Sequence, residues 1–306
     1  MPLGQFLVTT DARDDGLVLS DYISILRCPF CVTENALQLH DQLPGARSIE
    51  NGELRCQSCG KVSPIQNGIW DAMGARRPQR TLAQLSNVVP PVPQLYERLW
   101  RSRSLSLLSG RPFPLSEELH EMAAALGNLG SNAMIVDVAC SEGLYARTIA
   151  ASNLSSGPVV FAVDHSRRFL KRVLERRGSG LVVPVRALAQ ALPFSSATAD
   201  AMVMGGSLNE LGDLAIGVNE FGRLSKDCAP FFQMSLIRSE NFGGRLVQSF
   251  ARPAGITFPT KSETRDLFER AGFLVEGVRV DGVAARLEGH RRVRSQRHAE
   301  GADQFA

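Results

Sequence analysis

The stretch Ile135–Gly143, which reads Ile-Val-Asp-Val-Ala-Cys-Ser-Glu-Gly, decides the fold of this 306-residue chain. Its apolar start predicts a buried strand, and the small residues that follow Asp137 predict a tight turn before a helix. In α/β folds, nucleotide-like cofactors bind at such turns, where strands reach their carboxyl ends. The stretch therefore predicts an α/β, Rossmann-like domain with a cofactor site at this turn.

The sequence after residue 133 alternates between strand-like and helix-like runs. The predicted strands are Met134–Val138, Val159–Val163, Leu181–Val185, Ala199–Met204, Phe231–Ile237 and Phe273–Val280. The predicted helices include Leu144–Ala151, Arg167–Arg177, Asp213–Leu224, one that starts near Ser116 and one with a capping box at Thr260–Glu263. This alternation predicts parallel strands joined by crossover helices.

Composition limits the class of protein. Hydrophobic residues make up 44% of the chain and charged residues 21%, as in an ordinary globular protein, and the net charge of +3 does not by itself imply nucleic acid. No apolar run reaches the roughly 18 residues of a membrane helix, so no membrane partner is expected. The acidic start of the chain does not resemble a secretory signal, which predicts a cytoplasmic location.

Turn formers, prolines and charges suggest five segments. We predict a flexible tail over residues 1–20, a zinc ribbon over 21–75, a linker with cover helices over 76–115, the Rossmann-like domain over 116–289 and a basic flexible tail over 290–306. The linker is assigned from its prolines, and a helix is predicted within it over Gln94–Leu108.

Two cysteine pairs predict a metal site. Cys28 and Cys31 form one Cys-x-x-Cys turn, and Cys56 and Cys59 form a second, 24 residues further on. Zinc prefers four such thiolates in a tetrahedron, and four protein ligands leave no open position, so the predicted role is structural. A redox pair or disulfides are the alternatives, which a reducing compartment disfavours.

A second acidic residue supports the cofactor site. Asp164 ends the predicted strand Val159–Val163, where a carboxylate can accept hydrogen bonds from both ribose hydroxyls of a nucleoside. The alternative is an ordinary strand-turn-helix with a surface aspartate. Cys140 lies in the turn and is interpreted as a small packing residue rather than a nucleophile.

Residues 133–288 resemble the class I S-adenosylmethionine-dependent methyltransferases. The matching motifs, in order, are Val136–Gly143, Ala162–Asp164, Ala189–Phe194 with Ala199–Ala201, and Leu267–Phe273. With the cysteine pairs ahead, the chain is similar to a subgroup that includes ribosomal RNA large-subunit guanine methyltransferases and ubiquinone-biosynthesis-like enzymes. The resemblance implies S-adenosylmethionine as cofactor. It implies a cofactor-binding set of Asp137, Ala139, Cys140, Ser141, Gly143, Asp164, His165, Leu188, Ala189 and Gly205.

Within that set, the resemblance implies that Ala139–Gly143 holds the methionine part, Asp164 the ribose, and Leu188 and Ala189 the adenine. The chain departs from the usual pattern in three places. Ala139 and Ser141 replace two glycines of the turn. Leu188-Ala189 lacks the aspartate often found there, and Asp227–Pro230 replaces a Pro-Gly-Gly turn.

The acceptor side is predicted after the fourth strand of the domain. Methyl transfer from a sulfonium requires mainly positioning, so no single catalytic signature is needed. Glu210 is the candidate base and Asn209 the candidate acceptor-orienting group, although both residues suit a helix cap equally well. Tyr96 and Trp100 are candidate cover residues or simple packing residues.

Three functions follow from these residues. The leading hypothesis is methyl transfer to a small-molecule acceptor, a metabolite or natural product. The second is methylation of a ribosomal RNA base, which a basic bias around residues 76–103 supports. The third is a non-catalytic scaffold that docks a partner through its zinc ribbon. The acceptor atom and the oligomeric state are left open.

Overall fold

The computed structural model describes residues 19–40, 50–77, 115–130, 132–151, 157–176, 178 and 181–294. The predicted helix Gln94–Leu108, with Tyr96 and Trp100, lies outside the described residues. So do most of the predicted linker and nearly all of the first predicted tail.

The cysteine-bearing segment forms a small antiparallel sheet. After a 3-10 helix at Leu19–Ile25, its strands are β1 (Leu37–His40), β2 (Asn51–Cys56), β3 (Val62–Gln66) and β4 (Ile69–Asp71). Each pairs antiparallel with the next. The turn between β3 and β4 contains Asn67 and Gly68, both at positive φ, as a two-residue hairpin requires.

The second part of the chain is an α/β unit. Its strands are β5 (Met134–Val138), β6 (Val159–Asp164), β7 (Val182–Arg186), β8 (Ala201–Gly205), β9 (Pro230–Leu236), β10 (Phe273–Asp281) and β11 (Ala284–Arg291). Its helices are α1 (Leu115–Leu126), α2 (Leu144–Ala151), α3 (Arg167–Arg176), α4 (Leu214–Leu224), α5 (Phe242–Ala251) and α6 (Lys261–Arg270). Short 3-10 helices occur at Leu208–Glu210 and Arg252–Ala254.

All described strands belong to one sheet. Its eleven strands run in the order β1-β2-β3-β4-β7-β6-β5-β8-β9-β11-β10. The small sheet joins the α/β unit where β4 pairs in parallel with β7, through Trp70 opposite Val185 and Asp71 opposite Arg186. The predicted α/β, Rossmann-like fold is confirmed, and the cysteine-bearing segment extends its sheet.

The strand order locates the candidate site. From β5 the chain moves through β6 to β7 on one side, and then returns to β8 and β9 on the other. The order therefore reverses between β5 and β8, and ligands of open α/β sheets bind in the crevice at the carboxyl ends of the strands around this point.

Burial explains why the central strands form. All residues of β5 and β6 are buried, as expected of parallel strands that are covered by helices on both faces. Towards the β10 edge of the sheet, four phenylalanine rings from two helices and two strands pack together, with centroids 4.8–6.3 Å apart. They are Phe221, Phe231, Phe268 and Phe273. This core packs α4 and α6 against the starts of β9 and β10.

The predicted terminal tail begins too early. His290 and Arg291 belong to β11, and Arg291 is buried. Its guanidinium lies 5.3 Å from the Phe273 ring centroid and donates to the carbonyl of Ala271, so these contacts hold the basic residue in the fold. The start of α1 at Leu115 also precedes the predicted N-cap Ser116.

Helix α5, which the sequence did not predict, has an inverted amphipathic arrangement. Its polar Gln248 is buried, donates to the Ile237 carbonyl at 2.9 Å and accepts from the Ser239 N–H at 2.9 Å. Phe242 and Phe250 are 75% and 77% exposed. No helix in the described part of the chain is long and apolar enough to span a bilayer.

Candidate cofactor site and metal site

The turn after β5 has the backbone shape of a glycine-rich loop. Ala139, Ser141 and Gly143 have φ values of 54°, 53° and 72°. The left-handed region costs an L-residue about 1–2 kcal/mol, so Ala139 and Ser141 adopt glycine conformations at an energetic cost. At Gly143 a Cβ would also lie 2.9 Å from the Val173 side chain. The turn therefore keeps a tight path even though two of its residues carry side chains.

Asp164 ties this turn to β6. Its Oδ2 accepts from the Ser141 N–H at 3.0 Å, and its Oδ1 accepts from the Ser166 N–H at 2.8 Å. Asp164 is buried, and this burial raises the pKa of its carboxyl above the ordinary value of 3.8. His165 lies beside it, with Nδ1 3.7 Å from Oδ1. The carboxylate is thus rigidly placed at the crevice.

Asp137 supports the turn from below. Its side chain is 1% exposed, and its Oδ2 accepts from the Ala146 N–H of α2 at 3.0 Å. This contact favours a positioning role for Asp137, which joins the end of β5 to the first turns of α2. The predicted direct contact with cofactor stays a prediction.

Cys140 has the environment of a packing residue. It is buried, and its N–H donates to the Val163 carbonyl at 2.9 Å. Burial raises the pKa of its thiol well above 9.0, and the carboxylates of Asp137 and Asp164 raise it further. A thiol in this state is protonated and a poor nucleophile, which favours the packing interpretation.

The segment after β7 forms the opposite wall. Ala189 is buried and Leu188 half-buried, so backbone and apolar groups dominate there. Gln190 donates to the Leu211 carbonyl, which links this wall to the segment after β8. The predicted adenine contacts of Leu188 and Ala189 are compatible with this position and stay predictions.

The loop after β8 is bonded to the turn after β5. The Ser207 hydroxyl donates to the Ala139 carbonyl at 2.9 Å, which joins the turns that follow β5 and β8. Asn209 is buried; its amide donates to the carbonyls of Leu236 and Thr257 at 2.7 and 2.6 Å and accepts from the Leu236 N–H at 2.8 Å. These three bonds favour a positioning role for Asn209 over direct orientation of an acceptor. Glu210 is half-buried and follows it in the same 3-10 helix.

Sequence reasoning missed a buried polar pair beside Gly205. The Tyr145 hydroxyl donates to the Glu118 carboxylate, and both side chains are buried. A Cβ at Gly205 would lie 2.8 Å from the Tyr145 ring, so a glycine is needed where β8 ends. The position of Tyr145, just after the cofactor turn and Leu144, could have drawn attention to it in the sequence. Its hydrogen bond to Glu118 of α1, 27 residues earlier, has no such local signal.

The four predicted metal ligands converge. The sulfur atoms of Cys28, Cys31, Cys56 and Cys59 all lie within 4.8 Å of one another. Two separations are 3.8 Å, for Cys28 to Cys59, and 3.6 Å, for Cys31 to Cys56. A tetrahedron with zinc–sulfur bonds of about 2.3 Å has edges of about 3.8 Å, and a disulfide needs about 2.05 Å. The spacing fits a shared metal ion and not disulfides.

The two cysteine turns share one backbone hydrogen bond pattern, in which the carbonyl of the first cysteine accepts from the N–H four residues later. The Val32 N–H donates to the Cys28 carbonyl at 3.0 Å, and the Gly60 N–H donates to the Cys56 carbonyl at 2.9 Å. Burial raises the pKa of Cys28 to about 12, whereas hydrogen bonds with Thr33 lower the pKa of Cys31 to about 6. The Cys31 thiol therefore ionises more readily than the Cys28 thiol, and a nearby cation would favour ionisation of Cys28.

Comparison with known proteins identifies the α/β unit. Residues 136–228 match the methyltransferase domain family, and this range runs from β5 to the segment before β9. It includes the turn after β5, Asp164 and the loop after β8. The chain therefore contains a methyltransferase domain.

Two curated relatives of the chain are uncharacterized chloroplast methyltransferases of Arabidopsis thaliana. One is 28% identical, over 82% of this chain and 74% of the relative. The other is also 28% identical, over 53% of this chain and 48% of the relative. The first alignment extends well beyond the matched domain, so it includes sequence outside the catalytic unit.

Two solved structures share the fold. A chain from the complex between the Haloferax volcanii Trm112 methyltransferase activator and a methyltransferase superimposes with a TM-score of 0.53, at 14% identity, over 72% of this chain and 100% of that chain. A phosphoethanolamine N-methyltransferase of Haemonchus contortus, solved with phosphomonomethylethanolamine and S-adenosylhomocysteine, gives a TM-score of 0.52 at 12% identity, over 65% and 59%. At these identities the likeness concerns the fold alone.

Proposed function

We propose that this methyltransferase transfers the methyl group of S-adenosylmethionine to a small-molecule acceptor, a metabolite or natural product. The observation that carries the proposal is the joined turn and carboxylate at the crevice, where the Ser141 N–H donates to Asp164 at 3.0 Å. A buried carboxylate beside a tight turn at the strand-order reversal suits a nucleoside with an amino-acid side arm.

The residues present fit S-adenosylmethionine. Asp164 would accept hydrogen bonds from the ribose hydroxyls, the turn from Ala139 to Gly143 would hold the methionine part, and Leu188 and Ala189 would lie beside the adenine. When bound, the cofactor supplies an activated methyl group on a positively charged sulfur. The protein's contribution is to orient the acceptor in line with that group and to exclude water.

The acceptor side is formed by the loop after β8. Asn209 fixes this loop to the end of β9 through Leu236 and to the segment before α6 through Thr257. Glu210 follows in the fixed 3-10 helix and is the candidate proton acceptor for an oxygen or nitrogen nucleophile. We therefore propose Glu210 as the base and Asn209 as its positioning residue.

The charges of the cysteine-bearing segment support a small acceptor over RNA. Arg27 lies 3.0 Å from Glu220, and Arg55 lies 3.0 Å from Glu53. Lys61 lies over the Phe30 ring, and Arg76 donates to the Gln190 carbonyl at 3.0 Å. Cations that have partners within the chain are less available to phosphates, which dominate RNA affinity.

We also propose that Cys28, Cys31, Cys56 and Cys59 hold a structural zinc ion. The sulfur separations match the edge of a zinc–thiolate tetrahedron, and the four ligands leave no position for a substrate. The ion would compensate the burial of the Cys28 thiolate. A cytoplasmic location remains a prediction of the sequence.

The cofactor assignment is tested by calorimetry with S-adenosylhomocysteine. The wild type should bind, and Asp164→Ala should bind at least about 100-fold more weakly, because two hydrogen bonds to a charged group contribute about 1.5–3 kcal/mol each. The control Asp227→Ala removes an exposed carboxylate that is distant from Asp164 in the sequence, and this variant should bind like the wild type. Equal affinities for all three proteins would contradict the assigned ribose site.

The acceptor class is tested by transfer of a radiolabelled methyl group. Purified enzyme with labelled cofactor is offered either a metabolite extract or structured ribosomal RNA, each at low and high salt. Label in the metabolite fraction is the expected result. Salt-sensitive label in RNA would overturn the small-molecule proposal and support the ribosomal RNA alternative. Cofactor binding without transfer to either fraction would favour the scaffold.

The metal proposal is tested by elemental analysis and cobalt substitution. The wild type should contain one zinc ion per chain and, after exchange, should show the absorption bands of tetrahedral cobalt–thiolate. Cys56→Ser should lose the ion and unfold at a lower temperature, whereas Cys228→Ser, an exposed cysteine outside the cluster, should do neither. A metal-free wild type with an unchanged melting temperature would contradict the assignment.

A further inference from the structure

Residues 187–196, the first part of the loop between β7 and β8, are contacted by the cysteine-bearing segment. The Arg27 N–H donates to the Pro193 carbonyl at 3.0 Å, and the Ser195 N–H donates to the Ile25 carbonyl at 2.7 Å. These bonds form a short antiparallel bridge centred on Leu26 and Phe194. Arg27 directly precedes the metal ligand Cys28, so the first cysteine turn and this loop share one piece of backbone.

The Arg27 side chain adds a second connection. Its Nη2 donates to the Leu192 carbonyl and to Glu220 Oε2, both at 3.0 Å. Glu220 in turn accepts from the Leu192 N–H at 2.9 Å. The peptide groups on both sides of Leu192 are therefore fixed by one ion pair between the cysteine-bearing segment and α4.

A third connection comes from the segment that follows β4. This segment packs closely on the first cysteine turn, since a Cβ at Gly74 would lie 2.3 Å from the Pro29 carbonyl oxygen. Two residues later, Arg76 Nη1 donates to the Gln190 carbonyl at 3.0 Å. Gln190 directly follows Ala189, the proposed neighbour of the adenine.

A fourth connection reaches the ribose side. Asp71 at the end of β4 accepts from Arg186 at 2.7 Å and from Arg167 at 3.0 Å. Arg186 Nε also donates to the carbonyl of His165, the residue after Asp164, at 3.0 Å. The cysteine-bearing segment is thus bonded to the backbone on both sides of the proposed nucleoside site.

We propose that the cysteine-bearing segment positions the adenine-side loop of the cofactor site, with Arg76 and Arg27 as positioning residues, so that metal occupancy at the four cysteines and cofactor affinity are coupled. This inference rests on the proposed cofactor site. Coupling between two sites is reciprocal, so each ligand tightens the binding of the other by the same factor. The continuous bonds from Cys28 through Arg27 to Leu192 provide the physical connection.

Arg76 offers the cleanest test because it is exposed and its contact with Gln190 is a single hydrogen bond. Arg76→Ala should weaken both S-adenosylhomocysteine and 5′-methylthioadenosine by the same factor, roughly fivefold, since both carry the adenosine that the loop contacts. Arg76→Lys should recover part of the loss. The control is Arg55→Ala, which removes an exposed arginine of the same segment that forms an ion pair with Glu53, two residues away.

The melting temperature separates positioning from general damage. Arg76→Ala should have the same melting temperature as the wild type, while its affinity for S-adenosylhomocysteine falls. An affinity equal to that of the wild type would overturn the positioning role. A parallel loss of affinity in Arg55→Ala would overturn it too, since the effect would then be nonspecific.

The coupling has its own measurement. At equilibrium with a coloured chelator, saturating S-adenosylhomocysteine should tighten zinc binding several-fold in the wild type and much less in Arg27→Met, which keeps the length of the side chain and loses its donors. A zinc affinity that is the same with and without the ligand would overturn the coupling. If the wild type fails to bind S-adenosylhomocysteine at all, the proposed function falls with it, whereas binding without coupling removes this inference alone.

Discussion

The backbone N–H of Ser141 donates to the carboxylate of Asp164 at 3.0 Å, across the gap between β5 and β6. This bond makes the turn that would hold the methionine part and the carboxylate that would hold the ribose a single rigid unit. A second bond from the Ser166 N–H fixes the other carboxylate oxygen. Such preorganisation lowers the ordering cost of ligand binding.

Cofactor affinity should depend on pH through Asp164. Ribose hydroxyls donate best to the ionised carboxylate, and burial raises the pKa of this group above 3.8. Affinity should therefore be full above that raised pKa and should fall as the pH drops through it, at a higher pH than an ordinary aspartate would allow. Calorimetry with S-adenosylhomocysteine between pH 8 and about pH 5 measures this. In Asp164→Asn the dependence should disappear, and an equal slope in both proteins would refute the assignment.

Ala139→Gly should stabilise the protein. Ala139 has a φ of 54°, and release of the left-handed strain, about 1–2 kcal/mol, outweighs the extra chain entropy of glycine, about 0.5–1 kcal/mol. Urea unfolding should show a gain of about 0.5–1 kcal/mol. The same change at Ala123, an exposed position inside α1, should cost about 1 kcal/mol. Losses at both positions would show that the turn is not strained.

Cysteine labelling should distinguish three classes of thiol. Cys228 is exposed and should react readily with iodoacetamide at pH 8. Cys140 is buried with a raised thiol pKa and should stay unlabelled in the folded protein. The four clustered cysteines should be protected by zinc and become reactive after chelation. Peptide mass spectrometry reads all six sites, and rapid labelling of Cys140 would contradict its assignment as a packing residue.

The outward face of α5 should contribute little to stability. Phe250→Ala removes a ring that is 77% exposed and should change the free energy of unfolding by less than about 0.5 kcal/mol. Phe268→Ala makes the same change at a fully buried ring and should cost about 3–5 kcal/mol. Comparable losses in both variants would show that something covers α5 in solution.

The α/β unit was predictable because its signals are local. The runs that became β5 and β6 are continuously apolar, and the capping box at Thr260 and Glu263 is present with both of its hydrogen bonds. The convergence of the cysteines followed from two short turns with a known preference for zinc. In each case a few adjacent residues contain the physical reason for the structure.

The missed features depend on contacts between distant residues. The pairing of Trp70 with Val185 joins strands separated by more than a hundred residues, and no periodicity specifies it. The three backbone bonds of Asn209 depend on where β9 and the segment before α6 arrive. Helix α5 reverses the usual rule, since its polar Gln248 is buried and its phenylalanines are exposed.

The junction of β4 with β7 has a consequence for any shortened version of the enzyme. Deleting the first 75 residues would make β7, with its buried valines Val182, Val183 and Val185, an exposed edge strand of the remaining sheet. Exposed strand edges of this kind can template pairing between molecules, and within β7 only Pro184 at its centre and Arg186 at its end would oppose it. The amino-terminal strands therefore also cover an edge at which two molecules could pair, and the α/β unit without them would tend to aggregate.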